Sequence, residues 1–157
     1  MQELMTQARA FFEADASEER KGRLQSNLAA LGPGASPVQQ MFAQTPMRFF
    51  DMAVDAAPLF AGAELQPEFL PHVMGTLVQG WDVTRGSRPL SVPLFIAQGR
   101  YDYTVPYTLW DGIVPRLPTA SFQLFDESGH QPFFEEPAEF TARVLAWLEA
   151  STTAGVR

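Results

Sequence analysis

The 157-residue sequence predicts an α/β protein, with a helical amino-terminal part followed by a βαβα unit built on two parallel strands. Three observations predict it. Through residues 1–85, apolar side chains recur at helical spacing between Gly and Pro breakers. Residues 86–93, Gly-Ser-Arg-Pro-Leu-Ser-Val-Pro, form a breaker-rich joint at which that pattern stops. Beyond it, short apolar runs at 94–97 and 121–125 alternate with helical stripes, as strands covered on both faces do.

Leu4, Ala8, Phe11 and Phe12 lie on one helical face and predict a first helix over about Gln2 to Ala14. Ser17 suits the N-cap of a second, whose Leu24, Leu28 and Leu31 give an apolar stripe that ends at Gly32. Residues 32–37, Gly-Pro-Gly-Ala-Ser-Pro, read as loop. From Val38 to Phe60, Pro46 and Pro58 interrupt short apolar pieces, so short helices with irregular joints are expected, with Phe42, Phe49, Phe50 and Phe60 among them. A further helix over about Gln66 to Val78 uses Phe69, Leu70, Val73 and Leu77, with Pro71 near its first turn.

After the joint, Leu94-Phe95-Ile96-Ala97 reads as a buried strand that Gly99 ends. Pro106 suits a first helical turn; Leu109, Trp110, Ile113 and Leu117 continue the stripe to Pro118. A second strand is expected over about Ser121 to Phe125. A last helix, Pro137 to about Ala150, would bury Phe140, Val144, Leu145, Trp147 and Leu148 and pair Glu139 with Arg143 at i,i+4 on the other side. Residues 151–157 form a tail.

Composition narrows the function. Eighteen acidic against eleven basic side chains give a net charge of −7, and no basic face can form that would neutralise a run of phosphates, which argues against nucleic acid. With no cysteine there is neither disulfide, thiolate metal site nor cysteine nucleophile. His72 and His130 are the only imidazoles, too few and too far apart for a His-rich zinc site. No apolar run approaches the roughly 20 residues that span a bilayer, and residues 1–10 are too polar for a signal peptide, so the default expectation is a cytoplasmic protein without a membrane partner.

In parallel sheets, functional groups sit on loops at the carboxyl ends of strands. After the first strand comes Gly99-Arg100-Tyr101-Asp102-Tyr103-Thr104-Val105-Pro106, and after the second Glu127-Ser128-Gly129-His130-Gln131-Pro132. An Asp and a His therefore leave the same sheet edge. A carboxylate that fixes an imidazole's tautomer lets the other ring nitrogen take a proton from a nucleophile, which is the acid and base half of a hydrolytic triad. The alternative is a helix-capping Asp and a satisfied surface His.

These residues resemble a known family. The run from Val92 to Asp102, Val105-Pro106, and Ser128-Gly129-His130 with Glu135-Glu136-Pro137 look like the carboxyl-terminal part of α/β-hydrolases, most of all their proline-iminopeptidase-like branch. Trp81-Asp82-Val83-Thr84 and the helical region before it resemble the end of that branch's cap. The resemblance implies a helical cap or lid in residues 1–85, then in residues 94–150 the last two strands and helices of the core. It also makes Asp102 the triad acid and His130 the base, and implies no metal or organic cofactor.

The family's nucleophile is absent from these residues. Its serine stands on a Gly-x-Ser-x-Gly elbow, and none of Ser17, Ser26, Ser36, Ser87, Ser91, Ser121, Ser128 or Ser151 has that context. Gly34-Ala35-Ser36-Pro37 comes nearest but lacks the second Gly and a preceding strand. A Gly-rich oxyanion loop is missing too. The expectation is a portion of a serine hydrolase of esters or amides, inactive alone, acting on a small-molecule or peptide substrate once completed. Self-association or a complementary amino-terminal half would complete it.

Aminopeptidases of this resemblance use acids to hold a substrate ammonium. Glu64 and Glu68 are the candidates here, with Trp81 and Tyr103 as further substrate-binding residues. Asp126, Glu127, Glu135, Glu136 and Glu139 form a carboxylate cluster read as a solvated loop and helix start, and His72 as structural. Two rival readings remain: a non-catalytic module that pairs through an open sheet edge, and an inactive truncated remnant.

Overall fold

The computed structural model describes residues 2–62, 66, 68–78 and 92–154. Helix α1 spans Gln2–Asp15 and α2 Glu18–Ala29. The side chain of Ser17 caps α2 by accepting from the Arg20 N–H at 3.2 Å. Ala8 and Phe12 are buried on α1, but Leu4 is 47 % exposed because it precedes the part of the helix that meets the rest of the chain. In α2 the buried residue is Arg20; Leu28 of the expected apolar stripe faces solvent.

Helix α3, Pro37–Ala43, starts within the stretch read as loop, because Ser36 and Gln39 form a reciprocal capping box and Pro37 takes the first turn. Helix α4 spans Thr45–Arg48, and a 3₁₀ turn follows at Ala57–Phe60. These are the expected short pieces with irregular joints. Helix α5, Phe69–His72, continues as a π turn over Val73–Leu77 around Gly75. The joint at 86–93 lies outside the described residues except for Val92 and Pro93, as does most of the tail.

Strands β1, Leu94–Gly99, and β2, Ala120–Phe125, pair in parallel with Leu94 opposite Ala120 and Gly99 opposite Phe125. One departure lies between them. The helix expected from Pro106 to Leu117 is two 3₁₀ turns, Tyr107–Trp110 and Val114–Arg116. Pro115 is the physical reason: without an N–H it cannot donate to the carbonyl four residues back, and its ring clashes there.

Helix α6, Pro132–Glu135, was not anticipated, and α7, Pro137–Ala154, outruns its predicted end. On α7, Phe140 and Trp147 pack on Phe95 of β1, and Phe140 also packs on Phe125 of β2. The contact stripe follows positions 140, 143, 144 and 147, so Leu148 stands at its margin and Leu145 round the helix from it. Both are exposed, contrary to the sequence expectation. The Glu139–Arg143 pair forms at 2.8 Å, while Arg143 also covers the Phe125 ring. On the opposite sheet face Trp110 stacks on Phe122 and donates to Gln98.

The helical layer meets the loops beyond the strands. Phe12 and Ala16 enclose Tyr103, whose hydroxyl donates to Asp15 at 2.9 Å. Arg20 donates to the carbonyls of Pro46, Phe49 and Phe50, each at 2.7 Å, which fixes the 45–50 segment. That segment in turn accepts from both loops: Tyr103 N–H donates to Met47 O and His130 N–H to Arg48 O. No helix among the described residues is long and apolar enough to cross a membrane.

Candidate active site

Two glycines set the geometry. A Cβ on Gly99, the last residue of β1, would lie 1.9 Å from Gly129 O, and one on Gly129 would lie 2.1 Å from Arg48 O. Only glycine allows the ends of β1, the His130 loop and the 48–49 backbone to approach this closely. Arg100 N–H donates to Phe125 O and Tyr101 N–H to Ser128 O, both at 2.9 Å, so the two loops are stitched together immediately beyond the sheet.

Asp102 is buried, at 3 % exposure, and both its oxygens are engaged. Oδ1 accepts from the N–H groups of Thr104 and Val105 at 2.9 Å and from Thr104 Oγ1 at 2.6 Å. Oδ2 meets His130 Nδ1 at 2.7 Å, with Gln98 Nε2 at 3.4 Å. Burial opposes the charge, but the hydrogen bond and charge of His130, with the bonds from Thr104 and Val105, outweigh it and hold the carboxyl below its ordinary value. Ionised Asp102 selects the tautomer with the proton on Nδ1, which leaves Nε2 to take a proton. The His130 side chain is one-third exposed.

The loop carrying His130 is braced by two acids read from sequence as solvated. Glu135 accepts from Gly129 N–H at 2.7 Å and from Phe50 N–H at 2.6 Å, and burial pushes its carboxyl upward. Glu136 accepts from Ser128 Oγ at 2.5 Å and from Glu127 N–H at 3.1 Å. Ser128 is fully buried with its hydroxyl given to Glu136, so it is no nucleophile for His130. Asp126 pairs with Arg100 at 2.7 Å.

Of the other residues singled out by sequence, Tyr103, expected at a substrate, is instead 1 % exposed within the Phe12 and Ala16 cluster, held by packing and by Asp15. Glu68 is exposed beside α5, and no described contact joins it to the pair. Glu64 and Trp81 lie outside the described residues. Thr104, Gln98 and Arg48 were missed, and Glu135 and Glu136 were singled out but as solvated acids. Of the three missed, Thr104 alone carried a local signal, as a hydroxyl two residues after an Asp in a turn. No cluster of three or more His, Asp or Glu side chains that could hold a metal occurs among the described residues.

Two parallel strands thus carry an Asp and a His on adjoining end loops, and the fold that holds them can be compared with known proteins. The fold is similar to an alpha/beta fold family hydrolase from Bacillus anthracis str. Sterne, with a TM-score of 0.52 and 18 % identity, over 85 % of this chain and 49 % of that one. The chain thus matches part of an α/β-hydrolase fold and is related to that superfamily. In sequence it is 28 % identical over 155 residues to the AB hydrolase superfamily protein YclE of Bacillus subtilis (strain 168), covering 94 % of this chain and 55 % of that protein. It is also 33 % identical over 89 residues to a proline iminopeptidase of Clostridioides difficile (strain 630), covering 55 % of this chain and 28 % of the enzyme. The chain therefore spans about half the length, or less, of these relatives. No family model matches it.

Proposed function

We propose that this chain supplies the acid, Asp102, and the base, His130, of a serine hydrolase acting on esters or amides, with the serine and oxyanion donors supplied by a segment outside these 157 residues. The observation that carries the reading is the 2.7 Å contact from His130 Nδ1 to the buried Asp102 Oδ2, formed between the end loops of two parallel strands. In the completed site Asp102 holds the imidazole, and His130 Nε2 takes the serine proton and then returns it to the leaving group. Relatedness to proline iminopeptidases supports an amide-hydrolysing branch.

The coding sequence upstream gives the first test: an adjacent in-frame segment with Gly-x-Ser-x-Gly supports the reading, and unrelated sequence counts against it. The isolated chain is expected to hydrolyse p-nitrophenyl acetate no faster than His130→Ala and to take no fluorophosphonate label. Joined to the elbow-bearing segment, it should turn over in a manner abolished by His130→Ala and reduced by Asp102→Asn. Turnover that survives both substitutions overturns the reading.

One observation favours a second reading, a module that pairs with another copy or an amino-terminal half without doing chemistry: among the described residues, β1 and β2 pair only with each other, leaving an outer edge on each. Light scattering should then show a dimer or larger species. A stable monomer counts against it.

A further inference from the structure

We infer that Arg48 is the anchor of a binding site for an organic carboxylate beside the Asp102–His130 pair, so that the substrate of this site carries a carboxylate in addition to the bond to be cleaved. The assignment of the ligand as substrate rests on the function proposed above; the binding itself does not.

Two arginines sit in the same helical layer and differ in one respect. The guanidinium of Arg20 is used up by the protein, with three 2.7 Å bonds to main-chain carbonyls and the rings of Tyr101 and Tyr103 beneath it. Arg48 is the opposite case. Its Nε is buried with no hydrogen-bond partner among the described residues. The ion pairs described there, Lys21–Glu18, Arg100–Asp126, Arg143–Glu139 and Asp102–His130, do not include it. A buried N–H left unpaired costs about 1 to 3 kcal/mol, more on a cation, so an orphan of this kind in a folded chain points to a partner that arrives from outside.

The acid that its guanidinium senses is already engaged: Asp102 accepts from Thr104, Val105, His130 and Gln98. The place of Arg48 is fixed all the same. Its carbonyl accepts from His130 N–H at 2.6 Å, Gly129 packs on that carbonyl without room for a Cβ, and Asp102 is the charge its guanidinium senses. It is thus bolted to the loop that presents the imidazole.

The chemistry of the guanidinium sets the ligand. Its planar fork matches a carboxylate through two parallel bonds. The ionised Asp102 nearby and the chain's net charge of −7 oppose a second negative charge on the ligand, so a singly charged planar anion is favoured over a dianionic phosphate, while the Arg48 cation itself disfavours an ammonium at the anchoring point. This inverts the preference for an amine expected of Glu64 and Glu68.

The test uses the full chain, labelled with ¹⁵N, and follows the Arg Nε–H resonances by NMR during titration with benzoate, benzamide, prolinamide and inorganic phosphate at constant ionic strength. The Arg48 resonance, assigned by its loss in Arg48→Gln, is expected to move saturably with benzoate. Benzamide and prolinamide should bind at least about tenfold more weakly, the equivalent of one lost charge-assisted pair. Absence of a saturable shift at about 20 mM benzoate, an equal response to benzamide, or tighter binding of phosphate overturns the proposal. The titrations use the unmodified chain, and should Arg48→Gln misfold, Arg48→Lys, which keeps the cation but has no Nε–H of the guanidinium, supplies the assignment. Benzoate binding without His130-dependent turnover in the completed enzyme would keep the carboxylate site and remove the hydrolase reading; the reverse pattern would do the opposite.

Discussion

Gly129 leaves its neighbours no space for a methyl group, and all three of the nearest atoms, Arg48 O at 2.1 Å, Arg48 C at 2.5 Å and Phe49 Cα at 2.8 Å, belong to backbone that cannot rotate away. A Gly129→Ala change must push the His130 loop off the 48–49 segment and break the 2.6 Å bond from His130 N–H to Arg48 O. Overpacking and the lost bond together should destabilise the chain by about 3 kcal/mol, read as a lower urea midpoint with an unchanged slope. The same substitution at Gly22, around which a Cβ would meet nothing within 4 Å, should have no such cost and serves as the control. Loss of stability at Gly22 equal to that at Gly129 would sink the account. The glycines in the two end-loop motifs are thus there for close approach of backbones, and the Asp102 and His130 side chains meet because of it.

At the scale of elements, the strands, their parallel order and the two end loops were legible in the sequence, because short apolar runs bounded by Gly and followed by polar turns admit few other structures. The crossover was not, since the apolar stripe from Leu109 to Leu117 has helical period while Pro115 within it forbids the hydrogen bond a helix needs there. The helical layer was legible as helices but not in its contacts. Nothing local tells that Arg20, in an otherwise polar helix, turns inward to three carbonyls some 30 residues away, or that Glu135 reaches Phe50 N–H across 85 positions. Arg20→Met keeps much of the bulk but leaves those carbonyls without donors, and should cost about 3 kcal/mol in chemical unfolding. Arg20→Lys, with a point charge in place of a fork, should recover only part of it. If Arg20→Met is neutral, the 45–50 segment is held by something else.

For the whole molecule, two carboxyls, the buried Asp102 and the half-buried Glu135, pull stability in opposite directions with pH. Asp102 titrates below its ordinary 3.8 in the folded state, so its stabilising effect is complete above that value and disappears as pH falls through the lower, folded one. Glu135 is shifted up from 4.5 because burial disfavours its charge. The folded chain takes up that proton first, and stability rises as pH falls through the folded value toward 4.5. Self-repulsion from the net charge of −7 also shrinks toward the isoelectric point near 4.7, adding to the rise. Thermal midpoints measured from pH 8 to pH 2.5 should therefore climb modestly on acidification, peak between about 4 and 5, and drop below that. Glu135→Gln should weaken the climb and Asp102→Asn should flatten the acid drop, each without moving the other limb. A steady decline from neutral pH, or an acid limb that Asp102→Asn leaves unchanged, would mean that carboxyls other than these two govern the balance.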